Sequence, residues 1–302
     1  MTDLRSVFSM QGQLFLLILL GVLFRRKLSG PEFQRDLSTV LVDLLLPCNI
    51  IASFQTAMTG ELIARSLHVL LIALAGQLFA CFLAVTAFRR ADPERRSVMQ
   101  YSTICSNSGY LGIPVAESLW GAPGVLLTSI YLLPQRIAMW SLGVSFYSPE
   151  KGKDMWKKLL TNPCIVAMDI GLVLMVTQWK LPAVLQGTIT SLSRCTTGLS
   201  MFLVGMIVTQ IRWSEFLDRD VLAICALRLV VLPGVMLLLC RLLGVDALAA
   251  NICVMLTAMP AGAATAVMAA RYHRAEAFAA DVVTVSTLLS LVTIPLWAIL
   301  LA

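Results

Sequence analysis

Charge is scarce in this sequence. Asp, Glu, Lys and Arg make up 13% of its 302 residues against 58% apolar residues, and the mean hydropathy is +0.84. No soluble domain of that size can hide so much apolar surface, so the soluble globular and disordered classes are excluded. Histidine is nearly missing: His68 and His273 fall near opposite ends of different apolar runs. The chain also lacks Gly-x-Ser-x-Gly, His-Glu-x-x-His and a phosphate-cradling Gly-rich Lys loop, which argues against an enzyme and against a bound cofactor. Lys and Arg outnumber Asp and Glu by 23 to 17. They cluster briefly between apolar runs, as membrane-surface anchors do, so the excess is no sign of a nucleic-acid partner. Five of the eight cysteines, Cys81, Cys105, Cys225, Cys240 and Cys253, lie inside apolar segments without metal-type spacing. They read as reduced thiols, with no disulfide framework and no metal.

What the sequence has in abundance is apolar runs of bilayer length, which needs about 17–25 residues per helix. Charges and Pro/Gly punctuation cut the chain into ten, at 7–24, 37–54, 66–88, 97–120, 123–147, 162–179, 195–211, 221–240, 248–270 and 282–301. The fold class expected is therefore an all-α polytopic membrane protein of about ten transmembrane helices. Every connection is short. The basic cluster Arg25-Arg26-Lys27 follows the first run rather than preceding it, the reverse of a signal peptide, so that run is expected to stay in the mature protein. Sixteen Lys and Arg fall on one set of alternate loops and five on the other, with Arg136 and Arg228 inside spans. The positive-inside rule then puts both termini outside the cytoplasm of a cell inner membrane.

Split near residue 150, the chain gives five spans in 1–150 and five in 151–302. An odd number per half makes the second half enter from the opposite face, so a repeat must be inverted, as in alternating-access carriers. Two correspondences about 146 residues apart support the split, Pro114 with Pro260 and Arg95 with Arg241. The fourth span carries Ser106-Asn107-Ser108-Gly109-Tyr110-Leu111-Gly112-Ile113-Pro114, and the ninth carries Met259-Pro260-Ala261-Gly262. Proline removes a backbone donor and glycine lets the chain unwind, so both spans are expected to break near mid-membrane. Such breaks survive only against protein or a wet cavity, and the amide ends of half-helices suit an anion. An ordinary proline kink is the plainer alternative for each.

These two stretches resemble the crossover motifs of the auxin efflux carrier family, which includes plant auxin exporters and bacterial malonate-type transporters. Ser106–Pro114 is similar to its Asn…Gly-Ile-Pro motif, and 259–262 running into Ala270-Arg271-Tyr272 to its second Pro-x-Gly motif. Leu46-Pro47 and Thr293-Ile294-Pro295-Leu296 match as well. The resemblance spans essentially the whole chain. It implies two inverted five-helix repeats whose broken helices 4 and 9 cross near the midplane. It further implies a scaffold of helices 1, 2, 6 and 7 with a homodimer interface, and a moving transport domain made of the others. The long hydrophilic central loop of plant members is absent, so neither its regulation nor auxin as substrate carries over.

The candidate substrate site is Asn107, Gly109, Pro114, Arg136, Pro260 and Gly262. A charge at mid-membrane needs a reason. Arg136, in Pro134-Gln135-Arg136, offers a planar fork matched to a carboxylate; a structural ion pair with Asp43 or Asp169 is the alternative. Those two acids are also candidates for proton or ion coupling. Arg228 is expected to snorkel to the interface, and Glu117 and Asp281 to be solvated there. The expected activity is secondary transport of a small organic anion, with membrane lipid as the other partner. A cation-coupled carrier of bile-acid or sodium–proton type, a channel and a transport-like sensor are the rivals.

Overall fold

A computed structural model describes residues 4–25, 27, 31–55, 59–147, 161, 163–209 and 218–301. Among these the chain is helical throughout, with no strand beyond one isolated bridge. Helix α1 is Leu4–Arg25, and α2 covers 31–54 with a π-helical turn at Leu41–Leu45. Then come α3, Gly60–Ala87, and α4, Pro93–Ile104. The helical stretch Ser108–Tyr147 divides at Gly121 into α5 (108–120) and α6 (122–147). Gly121 has φ 63° and ψ −151°, a region open essentially to glycine alone, so the kink between these helices depends on that residue. The second half holds α7 (Pro163–Thr177), α8 (Ala183–Val208), α9 (219–242), α10 (Ala247–Thr257), α11 (Ala264–Arg271) and α12 (Glu276–Leu301).

The expected spans fall on these helices, with α4 and α5 making up the fourth and α10 and α11 the ninth. Gly60–Ala87, Ser108–Tyr147, Arg219–Leu242 and Glu276–Leu301 are long and apolar enough to cross a membrane on their own; Leu16–Arg25, Leu41–Phe54, Pro163–Thr177 and Ala247–Thr257 are shorter apolar helices. Large apolar side chains such as Leu71, Leu78, Phe82, Val173, Leu238 and Leu296 point outward, as a lipid-facing surface requires. One boundary differs markedly. The seventh span begins twelve residues early, at Ala183, because its Ser and Thr hydroxyls bond back to their own helix, Thr188 to the Val184 carbonyl and Ser191 to that of Gly187. Arg194 therefore lies within α8 rather than on a loop.

Helices α1, α2, α7 and α8 pack as one group: α1 on α8, α2 on α7, and α2 on α8. Glycines bring two of these helices to backbone contact. A Cβ on Gly21 would lie 2.1 Å from the Phe202 carbonyl oxygen, and one on Gly205 would lie 2.0 Å from that of Ile18. Helix α3 packs on α4 and α6, and α9 on α10 and α12. Ion pairs fasten this second group at both ends. Arg65 on α3 meets Asp246, the N-cap of α10, at 3.0 Å; Arg95 on α4 meets Asp218, the N-cap of α9, at 2.9 Å and Asp220 at 3.2 Å.

Candidate functional site

The chain leaves helical geometry between α4 and α5 and again between α10 and α11, and the two interruptions lie side by side. The Asn107 N–H donates to the Pro260 carbonyl at 2.8 Å, and the Gly262 N–H to that of Cys105 at 2.9 Å, which makes Ser106 and Ala261 an antiparallel bridge. Backbone groups freed in each break are thus satisfied by the other, the condition for a break at membrane depth. Gly262 is needed for this approach, since a Cβ there would meet the Cys105 sulfur at 2.9 Å and the Ser106 carbonyl at 3.1 Å.

The sequence places the first break too late. It falls at Cys105–Asn107, whereas Pro114 is already inside a helix. A π-helical turn at Ser108–Gly112 precedes it, in which the Ile113 N–H reaches the Ser108 carbonyl, so the wider turn absorbs the proline. Pro260 does lie in the second break. The correspondence of Pro114 with Pro260 is therefore not one of position. The bridge sets Ser106 against Ala261, about 155 residues apart, and the N-caps Asp92 and Asp246 keep nearly the same spacing. Arg241, matched to Arg95 on the sequence, is simply exposed.

Around the paired breaks, helix ends of opposite polarity are treated differently. The C-terminal carbonyls of α4 and α10 receive side-chain donors. Arg228, only 4% exposed, donates to Thr103 O at 2.9 Å, Met259 O at 3.1 Å and Thr257 O at 3.4 Å, while Gln77 donates to Ile104 O at 3.2 Å. Arg228 does not snorkel, because these inward carbonyls, negative ends of two helix dipoles, offer more than the interface does. The N-terminal end of α5 has no side-chain cap. It borders a cavity of about 240 Å³ together with the start of α11.

That cavity collects Asn107 and Gly109 from the first break and Gly262 from the second, with Gln135 and Arg136 from α6. Val42, Leu46 and Cys164 close it from α2 and α7. Four of the six expected site residues thus share one space; Pro114 and Pro260 do not line it. Arg136 is 8% exposed and its Nη1 has no hydrogen-bond partner among the described residues. The alternative reading, an ion pair with Asp43 or Asp169, is not found: among the described residues no carboxylate bridges to it, and those two acids are exposed on α2 and α7. Gln135 fixes the floor, donating to the Ser106 carbonyl at 2.9 Å and accepting from its hydroxyl at 2.6 Å. Gln135 was legible only as the polar neighbour of Arg136.

Two acids are also misplaced by the sequence. Asp281 is buried in α12. Glu117 on α5 accepts from Asn49 Nδ2 on α2 at 3.1 Å and from Thr197 Oγ1 on α8 at 2.8 Å. Of the five cysteines read as buried thiols, four are buried and Cys81 partly so; all are free.

Apolar helices with outward apolar faces, and paired breaks beside a cavity, define a membrane-embedded transport protein. The chain belongs to the membrane transport protein family, the auxin-efflux-carrier-like transporters, whose profile matches it twice, over residues 7–155 and 148–298. It is 26% identical over 291 residues to an uncharacterized transporter of Methanothermobacter thermautotrophicus, covering 95% of this chain and 93% of that one. The uncharacterized transporter MJ1031 of Methanocaldococcus jannaschii is 22% identical over 94% of this chain and 96% of its own. The uncharacterized transporter YfdV of Escherichia coli K12 is 21% identical over 94% of each.

Proposed function

We propose that this transporter moves a small organic anion bearing a carboxylate across the cell inner membrane by alternating access. Arg136 carries the reading. It is a buried guanidinium with an unpartnered Nη1, facing a cavity bordered by the uncapped amide end of α5. Positive helix ends and a guanidinium that no carboxylate among the described residues neutralises favour the same ligand charge, and the fork geometry suits a carboxylate. Asn107 adds a side-chain amide, and Gly109 and Gly262 allow close backbone approach. The cavity sits between the α1, α2, α7, α8 group and the paired breaks, where motion of one group against the other would expose it alternately to either side.

In this reading the chain has ten spans in two inverted repeats, 1–150 and 151–302, with both termini outside the cytoplasm and a second copy joined through the scaffold. The near-constant spacing of the N-caps and of the bridge residues supports the repeat, as does the double match of the family profile. Asp43 and Asp169 remain candidates for ion coupling. A thermal-shift screen of purified protein against monocarboxylates, dicarboxylates and amino acids tests the substrate class. A ligand that binds only the folded state raises its melting temperature, by mass action. The expected result is a shift from a carboxylate and none from cationic amino acids. Stabilisation by sodium alone would favour the cation-coupled reading instead.

A further inference from the structure

A second cavity, of about 200 Å³, also reaches the paired breaks, through Arg228 and Thr257. Most of its wall is apolar, with Phe79 from α3 and Leu232, Val235 and Leu239 from α9. Among the described residues Gln135 alone lines both this chamber and the cavity that holds Arg136. One turn before it on α6, Tyr131 faces the second chamber, while Arg136 and Met139 face the first, so the helix runs along the division between them. Gln135 is 7% exposed, and both ends of its amide are tied across the division to Ser106, at 2.9 Å and 2.6 Å. It cannot swing aside without leaving buried polar groups unpaired.

We propose that Gln135 determines the length of carboxylate this transporter accepts, by closing the substrate cavity off from a chamber that could hold an alkyl chain. The inference rests on the carboxylate reading above. A ligand held at Arg136 meets the neighbouring Gln135 amide, and a longer chain has to break both bonds to Ser106 before it gains any apolar contact. Beyond that amide the walls are the apolar ones a methylene chain prefers. No residue of α1, α2, α7 or α8 lines the second chamber, so it belongs wholly to the other group of helices. The limit therefore travels with that group when the two move past each other, and applies on both faces of the membrane.

The test has two arms. In the first, purified protein is titrated calorimetrically with straight-chain monocarboxylates from acetate to octanoate. Wild type should lose affinity at least tenfold beyond a certain length. Q135A should move that drop outward by two or more carbons, each added methylene then gaining roughly fourfold in Kd from its burial. Gln135→Met fills the same space without the hydrogen bonds and should keep the drop at the wild-type length. Val235→Phe narrows the second chamber; it should cancel the gain in a double variant with Q135A and leave the wild-type drop where it is. An unmoved drop in Q135A, an equal movement in Gln135→Met, or a wild-type drop shifted by Val235→Phe overturns the proposal, and the last of these holds should Q135A not fold. The second arm needs no ligand. In a cysteine-free background, Thr257→Cys in the second chamber is reacted with a water-soluble thiol reagent. Its rate should be about tenfold or more higher with Q135A than with Gln135→Met, and equal rates overturn the partition. If the labelling rates differ as expected and no carboxylate binds the wild type, the substrate reading fails while the partition stands.

Discussion

Arg228 and Arg136 are two arginines of nearly equal burial on either side of the paired breaks, and their surroundings are opposite. Arg228 faces the carbonyl ends of α4 and α10 and donates to three of them. Arg136 faces the cavity beside the amide end of α5, and among the described residues its Nη1 has no partner and no carboxylate bridges to it. One cation is matched by helix dipoles and hydrogen bonds, and the other adds to a positive field. Burial alone therefore does not tell whether a membrane charge is part of the framework or of the site; the polarity of the helix ends around it does.

The contrast is sharpest in stability. Arg228→Gln should leave buried carbonyls without donors, each worth about 1–3 kcal/mol. The expected outcome is a variant with a markedly lower melting temperature or little recoverable folded protein. An Arg228→Gln protein as stable as the wild type would erase the distinction.

Arg136→Gln should do the reverse, leaving the melting temperature unchanged or higher while weakening binding of the carboxylate found by the screen. A lost charged hydrogen bond is worth about 1.5–3 kcal/mol, tenfold or more in Kd. Arg136→Lys keeps the charge without the fork and should fall between, and Asn107→Leu should cost about 1 kcal/mol, roughly fivefold. Isothermal titration on the folded variants reads all three. Unchanged affinity in both Arg136 variants would remove this residue from the site.

A smaller effect belongs to the ion pairs that fasten the helix starts. Partial burial pushes the Asp218 carboxyl up, but Arg95 and the Val221 and Asp220 amides outweigh it and hold it below its ordinary value. Its contribution is then present above the unfolded carboxylate pKa of about 3.9 and is lost as pH falls through the lower folded value. Arg95 is a third exposed, so solvent screening keeps the gain small. The melting temperatures of wild type and Asp218→Asn should differ slightly at neutral pH and converge below about pH 4. A difference that persists in acid would assign the effect to the N-cap rather than the charge.

The helices and their approximate ends could be read from the sequence because lipid demands long apolar runs whatever the partners are. The breaks were legible in number and neighbourhood, since Gly and Pro mark them, but not in position: the sequence does not show that a π-helical turn accommodates Pro114. Asn107, Gly109, Arg136 and Gly262 were found as polar or small residues at mid-membrane, and the cavity gathers them from both halves. What failed was everything fixed by a remote neighbour. Arg228 and Glu117 look interfacial when judged by position in their spans. Their partners, Thr103 at 125 residues' separation and Asn49 and Thr197 at 68 and 80, turn them inward.

The backbone contact of α1 with α8 bears on how the protein is made. Gly21 enters the membrane early in synthesis, yet the carbonyl it packs against belongs to Phe202, some 180 residues later. Helix α1 must therefore wait in lipid for its main partner until α8 has been made, so the joining of these two helices is a late step of assembly and not its nucleus. A bulky side chain at Gly21 or Gly205 would leave every helix inserted and the scaffold unjoined, a defect of late assembly visible as protease sensitivity in a fully integrated protein.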